Sequence, residues 1–274
     1  TFLSTIFLRI PTIYDAHHPL VNRAAVFMFN TFKDSQYLVR FTTNSGGLAD
    51  YYLDRGLPQK KLKVLHNGVE LDKYKRGKTI IQARKLTKLP KDKQIVLYSG
   101  NIYKGRGIEQ LIEASESFKQ ALFYVLGGEQ KDIDRYEKLF RGKKVNNFKF
   151  LGFVDQDKVR DYLYSADVLV MPYGKGMTIG PGTEAAEFTS PIKLFEYMAS
   201  KRVIVASKIK SVMEILQDGK NAILTEPDDA KSLAKGIRKA LGNTENSAKL
   251  SQQAFSDIQK YSWNHRARRM IENV

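Results

Sequence analysis

The feature that most constrains the fold is the alternation of short apolar runs with amphipathic stretches between residues 94 and 241. Apolar runs rich in β-branched and aromatic residues are typical of buried strands, and a period near 3.6 residues is typical of helices. Such an alternation predicts an α/β fold with a parallel sheet covered by helices on both faces. The predicted strands are QIVLYSG (94–100), ALFYVLGG (121–128), FKFLGFV (148–154), DVLVMPY (167–173), RVIVAS (202–207) and NAILTE (221–226). The predicted helices are GIEQLIEASESF (107–118), DIDRYEKLFRG (132–142), DKVRDYLYSA (157–166), SPIKLFEYMAS (190–200), SVMEILQDG (211–219) and DDAKSLAKGIRKAL (228–241).

A shorter group of the same kind precedes this region. Strands are predicted at RIPTIYDAHH (9–18), YLVRFTTNS (37–45) and KKLKVLHNGVE (60–70), with a helix near GGLADYYLDRG (46–56). The charged stretch 73–93 has little apolar periodicity, so we interpret it as the connection to the larger domain. The opening TFLSTIFLRIPTIY (1–14) is interrupted by Arg9 and Pro11, well short of the ~20 residues that a spanning helix needs. It also lacks the pattern of a signal peptide, and we interpret it as a buried strand.

The domain organisation follows from these two groups. A strand that opens the chain lacks preceding sheet neighbours, so we expect the chain to be truncated at its N-terminus. We predict a remnant of an N-terminal domain over residues 1–75 and a C-terminal domain over residues 76–260. Residues 261–274 are predicted to form a helix that packs back toward the N-terminal domain.

Composition limits the partners and the chemistry. The chain has 45 Lys and Arg against 29 Asp and Glu, a formal net charge of +16, which indicates an anionic partner. Nucleic acid, an acidic membrane surface and phosphorylated small molecules would all satisfy that charge. The absence of cysteine excludes disulfides and thiolate metal sites, and the four histidines do not have the spacing of a zinc site. No metal site is predicted.

One glycine-rich basic segment follows the first strand of the larger domain. SGNIYKGRG (99–107) combines glycines with Lys104 and Arg106, and a helix begins at Gly107. Ligands of open parallel sheets bind at the carboxyl ends of the strands, and free helix amides attract anions. The segment is therefore a candidate phosphate site, although its composition is equally compatible with a plain surface turn.

A second such segment follows the strand at 167–173. The loop GKGMTIGPGTEAAEFT (174–189) leads to Ser190 and to a helix on which Lys193 and Glu196 lie one turn apart. A carboxylate in so apolar a helix start is either solvated or directed at a group with hydroxyls or positive charge. Two basic, glycine-rich helix starts are thus expected at one edge of the sheet.

Taken together, these segments resemble the retaining glycosyltransferases of the GT-B fold, family four, also known as glycosyl transferases group 1. The resemblance rests on segments that occur in the family's order and spacing: IVLYSGNIYKGRGIEQLIEA (95–114), FLGFV (150–154), SADVLVMPY (165–173), SPIKLFEYMASKRVIVAS (190–207), DGKNAILTEPDD (218–229) and YSW (261–263). Upstream, IYDAHH (13–18) and HNGVE (66–70) resemble the end of the family's N-terminal domain. The fold implied is α/β of GT-B type, with a Rossmann-like nucleotide-binding C-terminal domain and an N-terminally truncated second Rossmann-like domain.

The resemblance also implies roles for individual residues. Glu196 would accept hydrogen bonds from the ribose hydroxyls of a sugar nucleotide, for which its two carboxylate oxygens are suited. Phe153 and Val154 would lie against the base. The remaining residues implied for the diphosphate are Gly100, Asn101, Lys104, Arg106, Gly107, Ser190, Pro191, Ile192 and Lys193.

Three positions modify this pattern. Asn101 stands where the family usually has an arginine, and Arg106 stands at its usual lysine, so Arg106, helped by Lys104, would stabilise the leaving phosphate. Phe188 replaces a glutamate that usually contacts the sugar. His17 matches a family histidine near the donor sugar, and a satisfied core histidine is the alternative.

The function implied is transfer of a sugar, with retention and without a metal, from a nucleoside diphosphate sugar to a saccharide or lipid-linked acceptor in cell-surface glycan synthesis. No cofactor is implied, since the sugar nucleotide is the donor substrate. We expect this chain to bind nucleotide and to transfer weakly or not at all, because strands of the acceptor cleft would be missing.

Two other functions remain open at this stage. VDQDK (154–158) contains the Asp-x-Asp of metal-dependent glycosyltransferases, but Asp155 or Asp157 is predicted instead to cap the following helix. The second open function is that of a degenerate transferase domain, which acts as a basic nucleotide- or membrane-binding module. Nucleic acid is not expected as a partner, because no aromatic and basic base-reading surface is evident.

The segment LVNRAAVFMFNTFKDSQYLVRF (20–41) mixes apolar residues with Arg23, Lys33 and Arg40. A core helix with a solvated side is the first interpretation, and peripheral contact with anionic lipid is the second. Because many members of the family act on lipid-linked acceptors, the resemblance implies a cytoplasmic protein with peripheral contact to the inner membrane face.

Overall fold

A computed structural model describes residues 5–141, 145–178 and 186–272. The strands are β1 (Thr12–Ala16), β2 (Leu38–Thr43), β3 (Leu62–Val64), β4 (Ile95–Ser99), β5 (Leu122–Leu126), β6 (Phe148–Gly152), β7 (Val168–Met171), β8 (Val203–Ser207) and β9 (Ile223–Thr225). The helices are α1 (Arg23–Phe32), α2 (Gly46–Leu53), α3 (Ile80–Thr87), α4 (Ile108–Ser115), α5 (Gln130–Leu139), α6 (Gln156–Ser165), α7 (Ile192–Ala199), α8 (Lys210–Met213), α9 (Ala230–Gly242), α10 (Thr244–Asp257) and α11 (Trp263–Ile271).

The chain forms two compact units. The first comprises Thr1–Val69, Glu187–Ile192 and Lys260–Val274, and the second comprises Glu70–Ala186 and Lys193–Gln259. These limits differ from the expected boundaries after residues 75 and 260.

Packing explains the difference at the first boundary. Residues 70–75 belong to the second unit, in which Arg160 donates a hydrogen bond to the Lys73 carbonyl and Tyr74 packs edge-on against Tyr164. Residues 187–192 belong to the first unit, in which the Ser45 hydroxyl donates to the Phe188 carbonyl at 3.0 Å.

The first unit contains a parallel sheet in the order β1–β2–β3. Its core is largely aromatic: the Tyr52 ring centroid lies 4.7 Å from that of Phe41 and 5.2 Å from that of Phe29. The C-terminal helix α11 belongs to this unit, and its buried Arg266 pairs with Asp15 of β1. Packing of aromatic rings and one buried ion pair therefore hold these elements together.

The opening segment differs from the predicted buried strand. Phe7 and Leu8 are about two-thirds exposed, at 67% and 65%, and β1 begins only at Thr12. Arg9 has a φ of 53°, in the left-handed region, and Pro11 has no amide hydrogen to donate to a neighbouring strand. The turn at these residues explains why pairing starts after them. Residues 1–4 of the predicted strand lie outside the described residues.

The second unit contains a six-stranded parallel sheet in the order β6–β5–β4–β7–β8–β9. β4 and β8 are buried along their whole length, as expected for strands covered by helices on both faces. The chain proceeds from β4 outward through β5 and β6 and then returns to the other side of β4 with β7. The carboxyl ends of β4 and β7 therefore form a topological switch point.

The sequence-based prediction missed two helices, and a third helix is shorter in the structure than predicted. The predicted connection at 73–93 contains α3, which begins with a reciprocal capping box between Thr79 and Gln82. The C-terminal part of the second unit contains α10 (Thr244–Asp257), which was not predicted. The helix predicted over 211–219 is a single turn, α8. The eight residues of α3 and the single turn of α8 offer too few turns for a clear apolar period, whereas α10, with 14 residues, was missed despite its length.

A helix that spans a membrane needs about 20 mostly apolar residues. Among the described residues, none of the helices combines the length and the apolar character that crossing a bilayer requires.

Candidate functional site

The loops that follow β4 and β7 pack directly against each other at the switch point. The Gly174 amide donates to the Gly105 carbonyl at 2.9 Å. Gly107 has a φ of +73°, and a Cβ there would lie 1.7 Å from the Pro172 carbonyl oxygen. Only glycine satisfies both conditions, which explains its place at the start of α4.

A cavity of about 720 Å³ opens beside this point, within the second unit. Its walls are the carboxyl ends of β4, β5 and β6 with the starts of α5, α6 and α7. Six of the residues singled out from the sequence line it: Gly100, Asn101, Phe153, Val154, Lys193 and Glu196. A volume of this size is typical of small-molecule sites.

Lys193 occupies an enclosed position on the cavity wall. Its ammonium donates to the Tyr98 hydroxyl at 2.8 Å and lies 4.0 Å from the centroid of the same ring. Gly100 leaves room for it, because a Cβ there would be 2.4 Å from Nζ. Burial lowers the pKa of Lys193 well below its ordinary value, the charge of Arg106 lowers it further, and Glu196 opposes both.

Glu196 lies one turn after Lys193 on α7 and is partly buried. Its Oε1 accepts a hydrogen bond of 3.2 Å from the Gln156 amide at the start of α6. Burial raises the pKa of Glu196, against the opposing effects of the Lys193 charge and the Gln156 hydrogen bond. The carboxylate is thus not the freely solvated helix glutamate of the alternative interpretation.

Arg106 is not among the residues that line the cavity. Its guanidinium lies 4.8 Å from the centroid of the Tyr173 ring, and Nη1 donates to the Met177 sulfur at 3.0 Å. Nη2 contacts the Thr178 carbonyl at 3.4 Å, and the buried Nε has no partner among the described residues. Sulfur is a weak acceptor, so the described residues satisfy this cation incompletely.

The other predicted residues fall into two places. Lys104 is exposed and lies with Gly107 in the loop after β4. His17, Ser190, Pro191 and Ile192 belong to the first unit. Ser190 is buried, and its hydroxyl and carbonyl accept hydrogen bonds from Asn67 at 3.1 and 2.7 Å. The part of the loop 174–189 from 179 to 185 lies outside the described residues.

His17 is exposed at the end of β1, which differs from the satisfied core histidine of the alternative interpretation. Its Nε2 lies 3.0 Å from Asp15 Oδ2, and Arg266 binds the same carboxylate with two hydrogen bonds. Burial raises the pKa of Asp15, but hydrogen bonds from His17, Arg266 and Thr42 together with the Arg266 charge outweigh burial and hold the pKa well below its ordinary value.

Asp155 does not cap α6 as predicted. It occupies the N-cap position, but its side chain accepts no hydrogen bond from the helix amides and pairs instead with Lys158 at 2.9 Å. In the described part of the chain, no three His, Cys, Asp or Glu side chains converge as metal ligands would.

Sequence reasoning missed several residues of the cavity. Tyr98, which lies behind the cavity lining, was included in a strand without a role, although it binds Lys193 and Asn101. Gln156 was not singled out, and the glycine pair Gly127 and Gly128 was counted only as the end of a strand. A signal was present for the glycines, since they follow β5 at the same edge as Gly100.

Comparison with solved structures shows the fold. Anabaena Alr3699/HepE, determined in complex with UDP, matches with a TM-score of 0.81 and 19% identity over 99% of this chain and 74% of that chain. WaaG, a glycosyltransferase involved in lipopolysaccharide biosynthesis, matches with a TM-score of 0.71 and 15% identity over 97% and 76%. These matches confirm the predicted α/β fold of GT-B type.

Comparison with sequences shows the family. An uncharacterized glycosyltransferase of Methanocaldococcus jannaschii, MJ1069, is 24% identical over 77% of this chain and 51% of its own length. The colanic acid biosynthesis glycosyl transferase WcaI of Escherichia coli, named as putative, is 24% identical over 73% and 49%. The chain thus spans about half the length of the curated relatives it matches. The profile of glycosyl transferases group 1 matches residues 79–257. The chain therefore belongs to the family of glycosyl transferases group 1.

Proposed function

We propose that this protein transfers a sugar from a nucleoside diphosphate sugar to a saccharide or lipid-linked acceptor in glycan synthesis. The names of the relatives support this, among them a lipopolysaccharide 1,2-N-acetylglucosaminetransferase of Salmonella typhimurium that is 25% identical over 83% of this chain. Because those relatives are transferases by name, the alternative of a binding module without catalysis is less favoured.

The observation that carries the proposal is the pair Lys193 and Glu196 on one wall of the cavity. Opposite charges one helical turn apart suit a nucleotide, whose diphosphate is anionic and whose ribose offers two hydroxyls. We assign the ribose to Glu196 and the base to the neighbourhood of Phe153 and Val154. Phe153 is 83% exposed, so its ring is accessible for stacking with a base.

The diphosphate is assigned to the loop after β4 and the start of α7. Gly100 and Asn101 offer close backbone approach, and Lys193 offers a charge on the cavity wall. Arg106, with its unsatisfied Nε, is the second cation, and Lys104 and Gly107 complete the loop. The helix-start amides of Ser190, Pro191 and Ile192 would contribute further donors.

The proposed reaction retains the anomeric configuration and needs no metal. The bond between the anomeric carbon and the diphosphate oxygen breaks, and the acceptor oxygen bonds to that carbon from the same face. The acceptor proton passes to the departing phosphate oxygen. Arg106 and Lys193 stabilise the negative charge that grows on that phosphate, which lowers the barrier. His17 is proposed to lie near the donor sugar.

Calorimetry with uridine, guanosine and adenosine diphosphates tests the proposal. Uridine diphosphate comes first, because the HepE structures contain UDP and UDP-glucose. We expect saturable binding that is unchanged by excess chelator. Loss of binding on chelation would replace this mechanism with a metal-dependent one, and absence of binding by all three nucleotides would contradict the proposal.

Peripheral contact with an anionic membrane is part of the same proposal. On the first unit, Val21 and Phe27 are 71% and 68% exposed beside the exposed Arg23. The combination of apolar and basic side chains suits an anionic interface. Phe27→Ser should weaken co-sedimentation with phosphatidylglycerol vesicles by about tenfold. Ile81→Ser, which changes an equally exposed residue of the second unit, serves as the control, and equal losses would contradict the assignment.

A further inference from the structure

A second cavity, of about 300 Å³, lies within the first unit between the carboxyl end of β3 and the start of α11. Five basic side chains line it: His66, Lys260, His265, Arg266 and Arg269. Among the described residues that line it there is no Asp or Glu. Neither the proposed transfer reaction nor the proposed donor site uses this cavity.

One of these five cations is already neutralised. Arg266 is buried and binds Asp15 through two hydrogen bonds of 2.9 and 2.7 Å, and its Nε donates to the Leu65 carbonyl at 3.1 Å. Its role is therefore to join α11 to β1 and to the end of β3. Of the other four side chains, Lys260 and Arg269 supply the positive charge, and His66 and His265 contribute ring nitrogens that can donate hydrogen bonds.

Two of those four lie on one face of α11. His265 and Arg269 are four residues apart, so their side chains are neighbours along the helix, and both are exposed. Glu272, the acidic residue near Arg269, pairs with Lys63 at 3.1 Å, and that hydrogen bond lowers the pKa of Glu272. Lys63 also donates to the Arg269 carbonyl at 2.9 Å, but its charge is already paired with Glu272.

The other two side chains are His66, which follows β3, and Lys260, which precedes α11. His66 Nδ1 lies 3.2 Å from the Asn44 carbonyl, which can only accept, so Nδ1 carries a hydrogen. Lys260 is exposed, with its ammonium 5.4 Å from the centroid of the Tyr261 ring. Lys260 and Arg269 thus place two positive charges around one small cavity, and an anion bound there would offset their repulsion.

We propose that this cavity binds a phosphoryl group, as the monophosphate or diphosphate of a small molecule or of a lipid headgroup. Phosphate oxygens accept several charge-assisted hydrogen bonds at once, which suits an arrangement of lysine, arginine and histidine without carboxylates. The cavity volume lies at the lower end of the range for small-molecule sites and accommodates a diphosphate.

Titration with inorganic pyrophosphate tests the proposal. Trp263, the single tryptophan of the chain, is the first residue of α11 and follows Ser262 of the cavity wall, so its fluorescence reports locally. We expect a saturable fluorescence change. The ring signals of His66 and His265 in NMR spectra should shift with it, while those of His17 and His18 stay constant.

Variants locate the site. The double variant Lys260→Gln/Arg269→Gln should weaken pyrophosphate binding at least about tenfold. Arg268→Gln removes the same type of charge from the next position of α11, outside the cavity, and should change the affinity less than about twofold. A similar loss in both variants, or a similar response to sodium chloride at the same ionic strength, would overturn the proposal in favour of general charge screening.

A vesicle arm distinguishes the source of the phosphate. If the headgroup of a lipid is the ligand, vesicles with phosphatidic acid should compete with pyrophosphate, and the double variant should lose the part of vesicle binding that pyrophosphate displaces. If the ligand is soluble, pyrophosphate should bind and the vesicles should not compete. Vesicle binding without any pyrophosphate binding would overturn the cavity as the site. Melting temperatures should remain close to that of the unmodified chain, because both substituted side chains are exposed.

Discussion

Lys193 and Arg106 hold their charges over the same aromatic ring. The Lys193 ammonium lies 5.2 Å and the Arg106 guanidinium carbon 4.8 Å from the centroid of the buried Tyr173 ring. The ring attracts both cations, but their mutual repulsion contributes to the lowered pKa of Lys193. The repulsion between these two charges therefore destabilises the free protein, and a bound diphosphate would offset it.

Lys193→Met should separate stability from binding. Removal of a buried charge should raise the free energy of unfolding of the free chain by roughly 1–2 kcal/mol. The Tyr98 hydroxyl keeps its bond to the Asn101 carbonyl, so it is not left without a partner. Affinity for the nucleoside diphosphate should fall about tenfold. Thermal denaturation and calorimetry measure the two effects, with the exposed Lys235→Met as control. A lower melting temperature with unchanged affinity would contradict this prediction.

Nucleotide binding should be coupled to proton uptake by Lys193. Burial and Arg106 lower the pKa of Lys193 in the free protein, and an adjacent diphosphate should raise it again. Between the lowered pKa and the ordinary value of 10.5, binding takes up a proton, and affinity falls as pH rises. The stability of the free chain changes in the opposite direction, because the unfolded state binds more protons in that window.

Calorimetry at about pH 8 in two buffers of different ionisation enthalpy measures this proton uptake. The buffer dependence should disappear in Lys193→Met. If the binding enthalpy is the same in both buffers for the unmodified chain, Lys193 does not change its protonation on binding.

Glu196→Gln and Arg106→Ala should produce defects of different kinds. Gln keeps the size of the side chain but removes the charge that strengthens two ribose hydrogen bonds, a loss of about 1.5 to 3 kcal/mol. Binding of a nucleoside without phosphates should therefore weaken in Glu196→Gln and remain nearly constant in Arg106→Ala. Calorimetry with uridine and uridine diphosphate measures both, with the exposed Glu113→Gln as control. If both variants bind uridine and uridine diphosphate with the affinities of the unmodified chain, the nucleotide binds at another site.

Gly107→Ala should destabilise the second unit severely. A Cβ at this position would meet the Pro172 carbonyl oxygen, and the φ of +73° disfavours any side chain. We expect a loss of about 3 kcal/mol or more in the free energy of unfolding. Gly176→Ala, for which no atom lies within 4 Å of the new Cβ, is the matched control and should change stability by less than about 1 kcal/mol. Equal losses of stability in the two variants would mean that the loops after β4 and β7 move apart easily enough to accommodate a Cβ at position 107.

The pair Asp15 and Arg266 should make the first unit sensitive to acid. Because the pKa of Asp15 lies below its ordinary value of 3.8, this carboxylate stabilises the fold above that pH and loses its contribution as the pH falls toward the lowered pKa. Arg266→Ala should cost about 3–5 kcal/mol, since a partly buried carboxylate loses its main partner. Asp15→Asn should flatten the stability profile below about pH 4. Chemical denaturation across acidic pH measures the free energy of unfolding of both variants. If this free energy depends on pH in the same way for Asp15→Asn and the unmodified chain, Asp15 is not the source of the acid sensitivity.

Several elements could be predicted from local sequence signals alone. The apolar runs at Ile95–Ser99 and Val203–Ser207 became β4 and β8, because a strand buried on both faces needs continuous apolar side chains. The glycines around Arg106 and the pair Lys193 and Glu196 predicted a site at the carboxyl ends of the parallel strands, which is the edge where the cavity opens. Local periodicity missed α3, whose eight residues complete only about two turns.

Only the tertiary structure decided which residues share a cavity. The order β6–β5–β4–β7 brings Phe153, Gly100 and Lys193 together from distant parts of the chain, and strand order depends on long-range packing that no local pattern encodes. Packing also placed the Arg106 guanidinium over the Tyr173 ring, and Arg106 is not among the residues that line the cavity. Composition determined the excess of positive charge, but the docking of α11 on β3 decided that part of this charge would surround a second cavity.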